Sequence, residues 1–395
     1  MKTDNAAKLR SDRVWLQSDD CQSVDLEALT CATTSLADYP FADSVQSNVL
    51  IYDCGAIREA IGDAAQRKAV MAEWAEALTA GPGVIVLKRA ETDHAVIDRA
   101  SDIFRAIIAE QHRTNTGGGD HFAKPGANDR IWNSLEKHCL ADPENFAAYY
   151  GNEILALISE AWLGPYYQMT AQLNVVNPGG AAQSAHRDYH LGFQSAKDIE
   201  RYPRHVQLFS PMLTLQGAIA HVDAPMETGP TLLLPFSQTY DAGYMAMGRP
   251  EFQEFFNANH VQLPLEKGDM LFFSPALFHA AGTNRSADVK RMVNLFQVSS
   301  AYGRAMESID RVAMSKALYP ALLKAKSSMS AGQIAAAIAS CAEGYPFPTN
   351  LDRDPPLGGL APKSQAILFK ESLEAGLDAS AFNAALDAQA AKRIS

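Results

Sequence analysis

No apolar run in the 395 residues approaches the ~18 that a helix needs to cross a bilayer, so no membrane partner is expected. Residues 1–30 are broken by Asp4, Lys8, Arg10, Asp12, Arg13, Asp19 and Asp20 and contain no apolar stretch of the kind an export signal requires. The expected location is therefore cytoplasmic. Cysteine is sparse and odd in number: Cys21, Cys31, Cys54, Cys139 and Cys341 lie far apart, and no C-x-x-C pair exists. That excludes the common zinc and dithiol motifs and suits reduced, mostly buried thiols. Basic residues are outnumbered. Lys and Arg total 34 against 45 Asp and Glu, a formal charge of −11, which leaves no basic stripe for a nucleic-acid backbone. No G-x-G-x-x-G or Walker sequence follows a strand, so phosphate cradling by such a turn is unsupported. What is present is ordinary for a folded chain: 47% hydrophobic, 20% charged and 9% aromatic residues. At ~150 residues per domain the length allows two or three units.

The first ~50 residues give weak signals and read as irregular or loosely packed. From Ala56, the apolar positions Ile57, Ile61, Ala64, Val70, Trp74 and Leu78 recur at helical spacing until Gly81-Pro82-Gly83. Val84-Ile85-Val86-Leu87 then reads as a buried strand. A second helix would place Val96, Ile97, Ala100, Ile103, Phe104, Ile107 and Ile108 on one face. The polar stretch Thr114-Asn115-Thr116-Gly117-Gly118-Gly119-Asp120-His121 is either a surface loop or a segment over a pocket. Residues 147–163 are helical again, and after Gly164-Pro165 the period changes. Strand-like runs follow at 168–176, 184–189, 212–222, 231–234, 261–265, 269–273 and 292–299. Turn clusters separate them, among them Asn177-Pro178-Gly179-Gly180, Glu227-Thr228-Gly229-Pro230 and Glu266-Lys267-Gly268. Short strands so spaced predict an antiparallel sandwich or barrel, not alternating βαβ units. The tail returns to helices: Ser330 can cap 331–342, Ser364 can cap 365–375 before Gly376, and Asp378 can cap a last one.

Two histidine contexts carry the chemistry. In Ala185-His186-Arg187-Asp188-Tyr189-His190, extended backbone puts His186 and Asp188 on one face and Arg187 on the other. The second context is Leu277-Phe278-His279, which follows the apolar Met270-Leu271-Phe272-Phe273. Taken alone, His279 reads equally well as a core histidine bonded to a backbone carbonyl. Together, His186, Asp188 and His279 make a 2-His-1-carboxylate set. Such a set holds one face of an octahedral ion, leaves positions open, and is diagnostic for non-haem Fe(II) oxygenases. A fourth residue completes the pattern. Strand alternation points Arg291 the same way as Val293 and Leu295, towards the core. A guanidinium there needs a partner: a dicarboxylate co-substrate gripped bidentately, or an acidic side chain of the barrel. Arg285 and Lys290 compete for that role, but Arg285 sits in the turn Asn284-Arg285-Ser286-Ala287-Asp288 and Lys290 alternates to the other face.

These segments resemble the phytanoyl-CoA dioxygenase family of Fe(II)/2-oxoglutarate oxygenases. The resemblance lies in His186-Arg187-Asp188-Tyr189-His190, in Glu227-Thr228-Gly229-Pro230-Thr231 through Leu234-Pro235-Phe236-Ser237, in Lys267-Gly268-Asp269 through His279, and in Arg291-Met292-Val293-Asn294. It implies a mainly β core with flanking helices: a double-stranded β-helix, the cupin-like jelly roll, with N-terminal helices before it and a C-terminal helical extension. The corresponding division is an N-terminal extension (1–55), an oxygenase domain (56–303) and a helical extension (304–395).

Carried over by position, the resemblance makes His186, Asp188 and His279 the iron ligands and Arg291 the residue binding the distal carboxylate of 2-oxoglutarate, with Thr231 and Gln172 lining the co-substrate pocket. Asp188 argues against a halogenase, where a small residue would free a site for halide. The chain departs from the family pattern at Ala281, where members often carry a polar residue. The implied reaction uses Fe(II), 2-oxoglutarate and O2 to hydroxylate an unactivated C–H of a small-molecule substrate, releasing succinate and CO2. Tyr189, His190, Phe193, Gln216, Asn115, His121, Arg130 and Trp132 are the candidate pocket residues. His190 shares the His186/Asp188 face if the strand stays straight. Two alternatives stay open: a cupin-type metalloenzyme without 2-oxoglutarate, such as an isomerase, and a non-catalytic barrel. The C-terminal helices, with Ala384, Ala385 and Leu386, suit either packing on the barrel or a homodimer contact.

Overall fold

A computed structural model describes residues 11–116 and 126–394. Ten strands are found among them: β1 (Ser44–Gln46), β2 (Val49–Asp53), β3 (Val84–Lys88), β4 (Asn128–Ile131), β5 (Gln168–Val176), β6 (Thr214–Ala220), β7 (Leu232–Leu233), β8 (Met270–Phe273), β9 (His279–Ala280) and β10 (Arg291–Ser299). The chain divides into two compact units. The first takes the described residues of 1–89, 119–129 and 175–293, and the second those of 90–118, 130–174 and 294–395.

In the first unit the strand order is β1-β2-β3-β8-β6, continuing to the start of β10, and β7 pairs with β9 as a separate antiparallel ribbon. Alternation gives the sheet two apolar faces. Val49, Ile51, Val84, Val86, Leu271 and Phe273 form one face and pack with Leu233 and Leu277. On the other face Tyr52 meets Trp74 edge-on, ring centroids 5.9 Å apart. Trp74 belongs to the helix Ala64–Thr79, whose first turn is capped by Asp63 accepting from the N–H groups of Ala65 and Gln66 at 3.0 and 2.9 Å. A sheet covered on both faces buries apolar side chains at every position, which is why Val49 through Tyr52 read as a continuous run.

The sequence reading is corrected at several places. Residues 44–53 are not irregular: they form β1 and β2, and β2 runs parallel to β3, so the sheet is mixed. The helix from Ala56 is two helices, Cys54–Ala60 and Ala64–Thr79, and that over 147–163 is likewise two, Pro143–Tyr150 and Glu153–Leu163. Asn152 caps the latter, accepting from Ile154 and Leu155 at 3.0 Å. The runs at 184–189 and 261–265 shrink to single bridges, His186 to His279, Val261 to Leu233 and Leu265 to Ala224.

In the second unit β10, β5 and β4 follow in that order. Its helices are His94–Thr114, Ser134–Ala141, Pro143–Tyr150, Glu153–Leu163, Arg311–Ala325, Ala331–Cys341, Gln365–Glu374 and Ala379–Arg393. The tail caps sit at the expected residues: Ser330 closes a capping box with Gln333, and Ser364 and Asp378 accept from Ile367 and Ala381. Along β10 Met292, Asn294, Phe296 and Val298 are buried on one face; on the other Arg291, Gln297 and Ser299 are buried and Val293 and Leu295 half-buried. Arg291 is therefore buried as expected, while its neighbours Val293 and Leu295 on that face are only partly covered. No helix among the described residues is long and apolar enough to cross a membrane.

Candidate metal centre

His186 and His279 face each other across an antiparallel bridge. His186 N–H donates to His279 O at 2.9 Å and His279 N–H to His186 O at 3.2 Å. Two residues on, Asp188 N–H donates to Pro275 O at 3.3 Å, which holds the carboxylate on the same side as His186. The ligand atoms of His186, Asp188 and His279 all lie within 4.8 Å of one another. Asp188 Oδ1 stands 3.7 Å from His186 Nε2, and Oδ2 stands 3.3 Å from His279 Nε2. Each imidazole is oriented from behind: His186 Nδ1 bonds Ser184 O, and His279 Nδ1 bonds Leu277 O, both at 2.9 Å. A proton fixed on Nδ1 by a backbone carbonyl leaves the Nε2 lone pair for a metal.

Around the triad the environment is graded. The His279 side chain is 5% exposed and its ring lies 4.6 Å from that of Phe273, while His186 and Asp188 are 30% and 18% exposed. Burial alone would push the Asp188 carboxyl up. With the imidazoles protonated on both nitrogens, the hydrogen bond from His279, the charge of the two rings and the Gln216 amide outweigh it and hold Asp188 well below the usual carboxylate range. Gln216 Nε2 donates to Asp188 Oδ2 and lies 3.5 Å from His279 Nε2. Gln216 sits opposite Phe273 in the β6–β8 register, so the sheet itself delivers it to the site.

Arg187 points away from the ligands, as alternation requires. Its guanidinium donates to Ser237 O and Tyr240 O at 2.7 and 2.9 Å, and it stacks on Tyr244 and Phe278 at 5.1 and 4.9 Å. Tyr244 OH then donates to Asp188 O at 3.3 Å. Gly243 permits this packing, because a Cβ there would lie 2.0 Å from the guanidinium carbon.

Arg291 is buried, with 5% exposure, and its Nη1 donates to Thr228 O at 3.0 Å and Gly282 O at 3.4 Å. Gly282 follows His279 by three residues. Gly229, at φ 69°, lets the two loops meet: a Cβ there would stand 2.2 Å from Thr283 O. Burial lowers the guanidinium to about 10, which leaves it protonated at neutral pH. Among the described residues no carboxylate pairs with Arg291.

The remaining sequence candidates are distributed unevenly. Thr231 is half-buried just before β7, whose Leu233 pairs with His279. Tyr189 is buried and His190 half-buried, but both have positive φ, 61° and 37°. The chain turns there into the short helix His190–Phe193, so His190 leaves the face it would share on a straight strand and lies 3.5 Å from Ser210 Oγ. Phe193 is 58% exposed. In the second unit, Gln172 is buried and donates to Gln297 Oε1 at 2.9 Å. Arg130 stacks 5.0 Å over Trp132, and Asn115 is exposed in the left-handed conformation that ends His94–Thr114. His121 lies outside the described residues. Three side chains went unremarked in the sequence. Tyr244 supports Asp188 from far along the chain. Gln183, three residues before His186, accepts from Ala281 N–H through Oε1 at 3.2 Å. Glu307, in the second unit, accepts from Asn133 N–H at 2.7 Å, and burial pushes its carboxyl up to about 7. Of these only Gln183 had a local signal, its closeness to His186.

Known proteins resemble this chain in parts. The dioxygenase cdmD of Talaromyces verruculosus is 30% identical over 32% of this chain and 38% of its own length. The dioxygenase trt7 of Aspergillus terreus is 30% identical over 39% and 43%. The iron/alpha-ketoglutarate-dependent dioxygenase ausU of Aspergillus calidoustus is 29% identical over 35% and 41%. This chain thus spans about two fifths of the length of the curated relatives it matches. Among solved structures, the non-haem alpha-ketoglutarate-dependent epimerase SnoN from nogalamycin biosynthesis is 17% identical, with a TM-score of 0.40, over 60% of this chain and 85% of that one. The carbocyclase SnoK from the same biosynthesis is 19% identical, also at 0.40, over 57% and 83%. The sequence model of the phytanoyl-CoA dioxygenase family matches residues 59–292, a span that contains the clustered His186, Asp188 and His279 and also Arg291, and the chain belongs to that family.

Proposed function

We propose that this protein is an Fe(II)- and 2-oxoglutarate-dependent dioxygenase that hydroxylates an unactivated C–H bond of a small-molecule metabolite. Its mixed sheet and ribbon are read as a double-stranded β-helix. The observation that carries the reading is the convergence of His186, Asp188 and His279 within 4.8 Å, with Arg291 buried against the Gly282 carbonyl and unpaired by acid among the described residues. Two imidazoles and one carboxylate fit an octahedral Fe(II) with open positions. A lone buried guanidinium fits one carboxylate of a dianion. Iron with 2-oxoglutarate and O2 supplies the oxidising power for C–H cleavage, with release of succinate and CO2.

The protein's own share is orientation. Ser184 O and Leu277 O fix the two imidazole tautomers, Gln216 positions the Asp188 carboxylate, and Phe273 shields His279 from water. The test is succinate release from 2-oxoglutarate with Fe(II) present. Wild type is expected to turn over slowly without substrate, and His186→Ala and Asp188→Ala to lose that activity. Full iron-dependent turnover in either variant would remove the ligand assignment, and a metal-binding wild type that yields no succinate would favour the cupin-type alternative.

A further inference from the structure

Between the ligand Asp188 and its hydrogen-bond partner Gln216 the chain makes an excursion of short helices, His190–Phe193, Ala196–Ile199, Arg204–Phe209 and Ser210–Leu213. Its inner side is anchored. Leu191, Ile199, Gln207 and Ser210 are buried, and Gln207 donates to Tyr202 O at 2.9 Å. Four large apolar side chains of the excursion are exposed: Phe193, Leu208, Phe209 and Met212, at 58%, 37%, 54% and 42%. Charge is segregated along the same segment. Lys197, Asp198, Glu200, Arg201 and Arg204 lie in its middle, and residues 189–196 and 206–216, the two ends tied to the metal site, contain no Asp, Glu, Lys or Arg. The two ends meet, Ser210 Oγ lying 3.5 Å from His190 Nδ1, and of the three clustered side chains His186 and Asp188 are partly exposed while His279 is closed.

We propose that these two uncharged ends, with Phe193, Phe209 and Met212 outermost, are the docking surface for the substrate, which meets the metal site through an uncharged, carbon-rich apolar face. The proposal rests on the oxygenase reading of the triad. Exposed apolar side chains within a few residues of Asp188 and Gln216 gain their burial when a complementary apolar molecule covers them. A substrate bearing phosphate or carboxylate on that face would be desolvated there without a cation to receive it.

The probe is N-phenyl-1-naphthylamine, an uncharged aromatic fluorophore, titrated into the full chain. Wild type is expected to bind it saturably. The Phe193→Ser/Phe209→Ser double variant, altered only at exposed positions, is expected to bind roughly tenfold more weakly through lost apolar burial. The control is Leu357→Ser/Leu360→Ser, which removes two side chains that are 90% and 100% exposed in the other unit and should leave binding unchanged. Calorimetric titration of 2-oxoglutarate into the metal-loaded proteins should give equal affinity in all three. Unchanged fluorophore binding in the Phe193/Phe209 variant, or an equal loss in the control, overturns the proposal while the oxygenase reading stands. So does a sedimenting dimer that the same substitutions dissolve, because the patch would then be a contact between copies. Failure of the metal-loaded wild type to bind 2-oxoglutarate overturns the oxygenase reading and this proposal together.

Discussion

Asp188 is the residue on which the centre turns. Placed between two imidazoles and hydrogen-bonded by Gln216, it stays ionised despite burial and is ready to ligate without first losing a proton. Gln216→Ala removes the amide that orients it, and metal affinity should fall about tenfold to a hundredfold, as for other partners of metal ligands. Competition against a fluorescent chelator measures this, and unchanged affinity would mean that Gln216 is incidental. Arg291→Ala should weaken 2-oxoglutarate roughly thirtyfold or more and leave metal affinity intact, with Arg291→Lys restoring only part because an ammonium lacks the planar fork. Calorimetry on metal-loaded protein separates the two affinities. At this scale the clustering was largely legible: the His-x-Asp spacing places both side chains on one face of any extended segment. His190 was not, because nothing in Tyr189-His190 announces that two non-glycine residues take positive φ and end the strand.

Elements hold these residues through packing that is only partly written in local pattern. Arg187 lies between two ligands, and its guanidinium fills the space that Gly243 leaves open. Gly243→Ala should overpack it at a cost of about 1–3 kcal/mol. A lower urea midpoint together with weaker metal binding is the expected pair of results, and a stable variant with normal metal affinity would deny the link. In the second unit, His138 is enclosed by Phe104, Phe146, Tyr149 and Tyr150 and bonds Asn145 Oδ1 at 2.8 Å. Burial lowers its pKa from 6.5 to about 4. The unfolded chain therefore takes up a proton below pH 6.5 that the folded chain refuses until about pH 4. Stability from this group is full above pH 6.5 and falls across that window, by about 3 kcal/mol in all. Urea midpoints measured between pH 7 and 4 should show the slope in wild type and lose it in His138→Gln. Strands such as β5 and β8 were readable as apolar runs bounded by turns. β4, with the sequence Asn128-Asp129-Arg130-Ile131, was not, since its pairing rather than its composition makes it a strand.

At the scale of the whole molecule, the charge of −11 says nothing of the candidate site, which combines the buried Arg291 with His186 and Asp188 from one stretch of chain and His279 from another. Most strands and the flanking helices follow from where apolar runs and caps fall. The parallel β2–β3 pair escaped the sequence because Val49-Leu50-Ile51-Tyr52 is too short a run to distinguish from a buried helical turn. The most direct measurement is a crystal structure of the protein loaded anaerobically with Fe(II) and 2-oxoglutarate. Iron held by His186 Nε2, His279 Nε2 and an Asp188 oxygen, with the distal carboxylate of 2-oxoglutarate on Arg291, is the expected result. Iron bound elsewhere, or 2-oxoglutarate bound without touching Arg291, would contradict it.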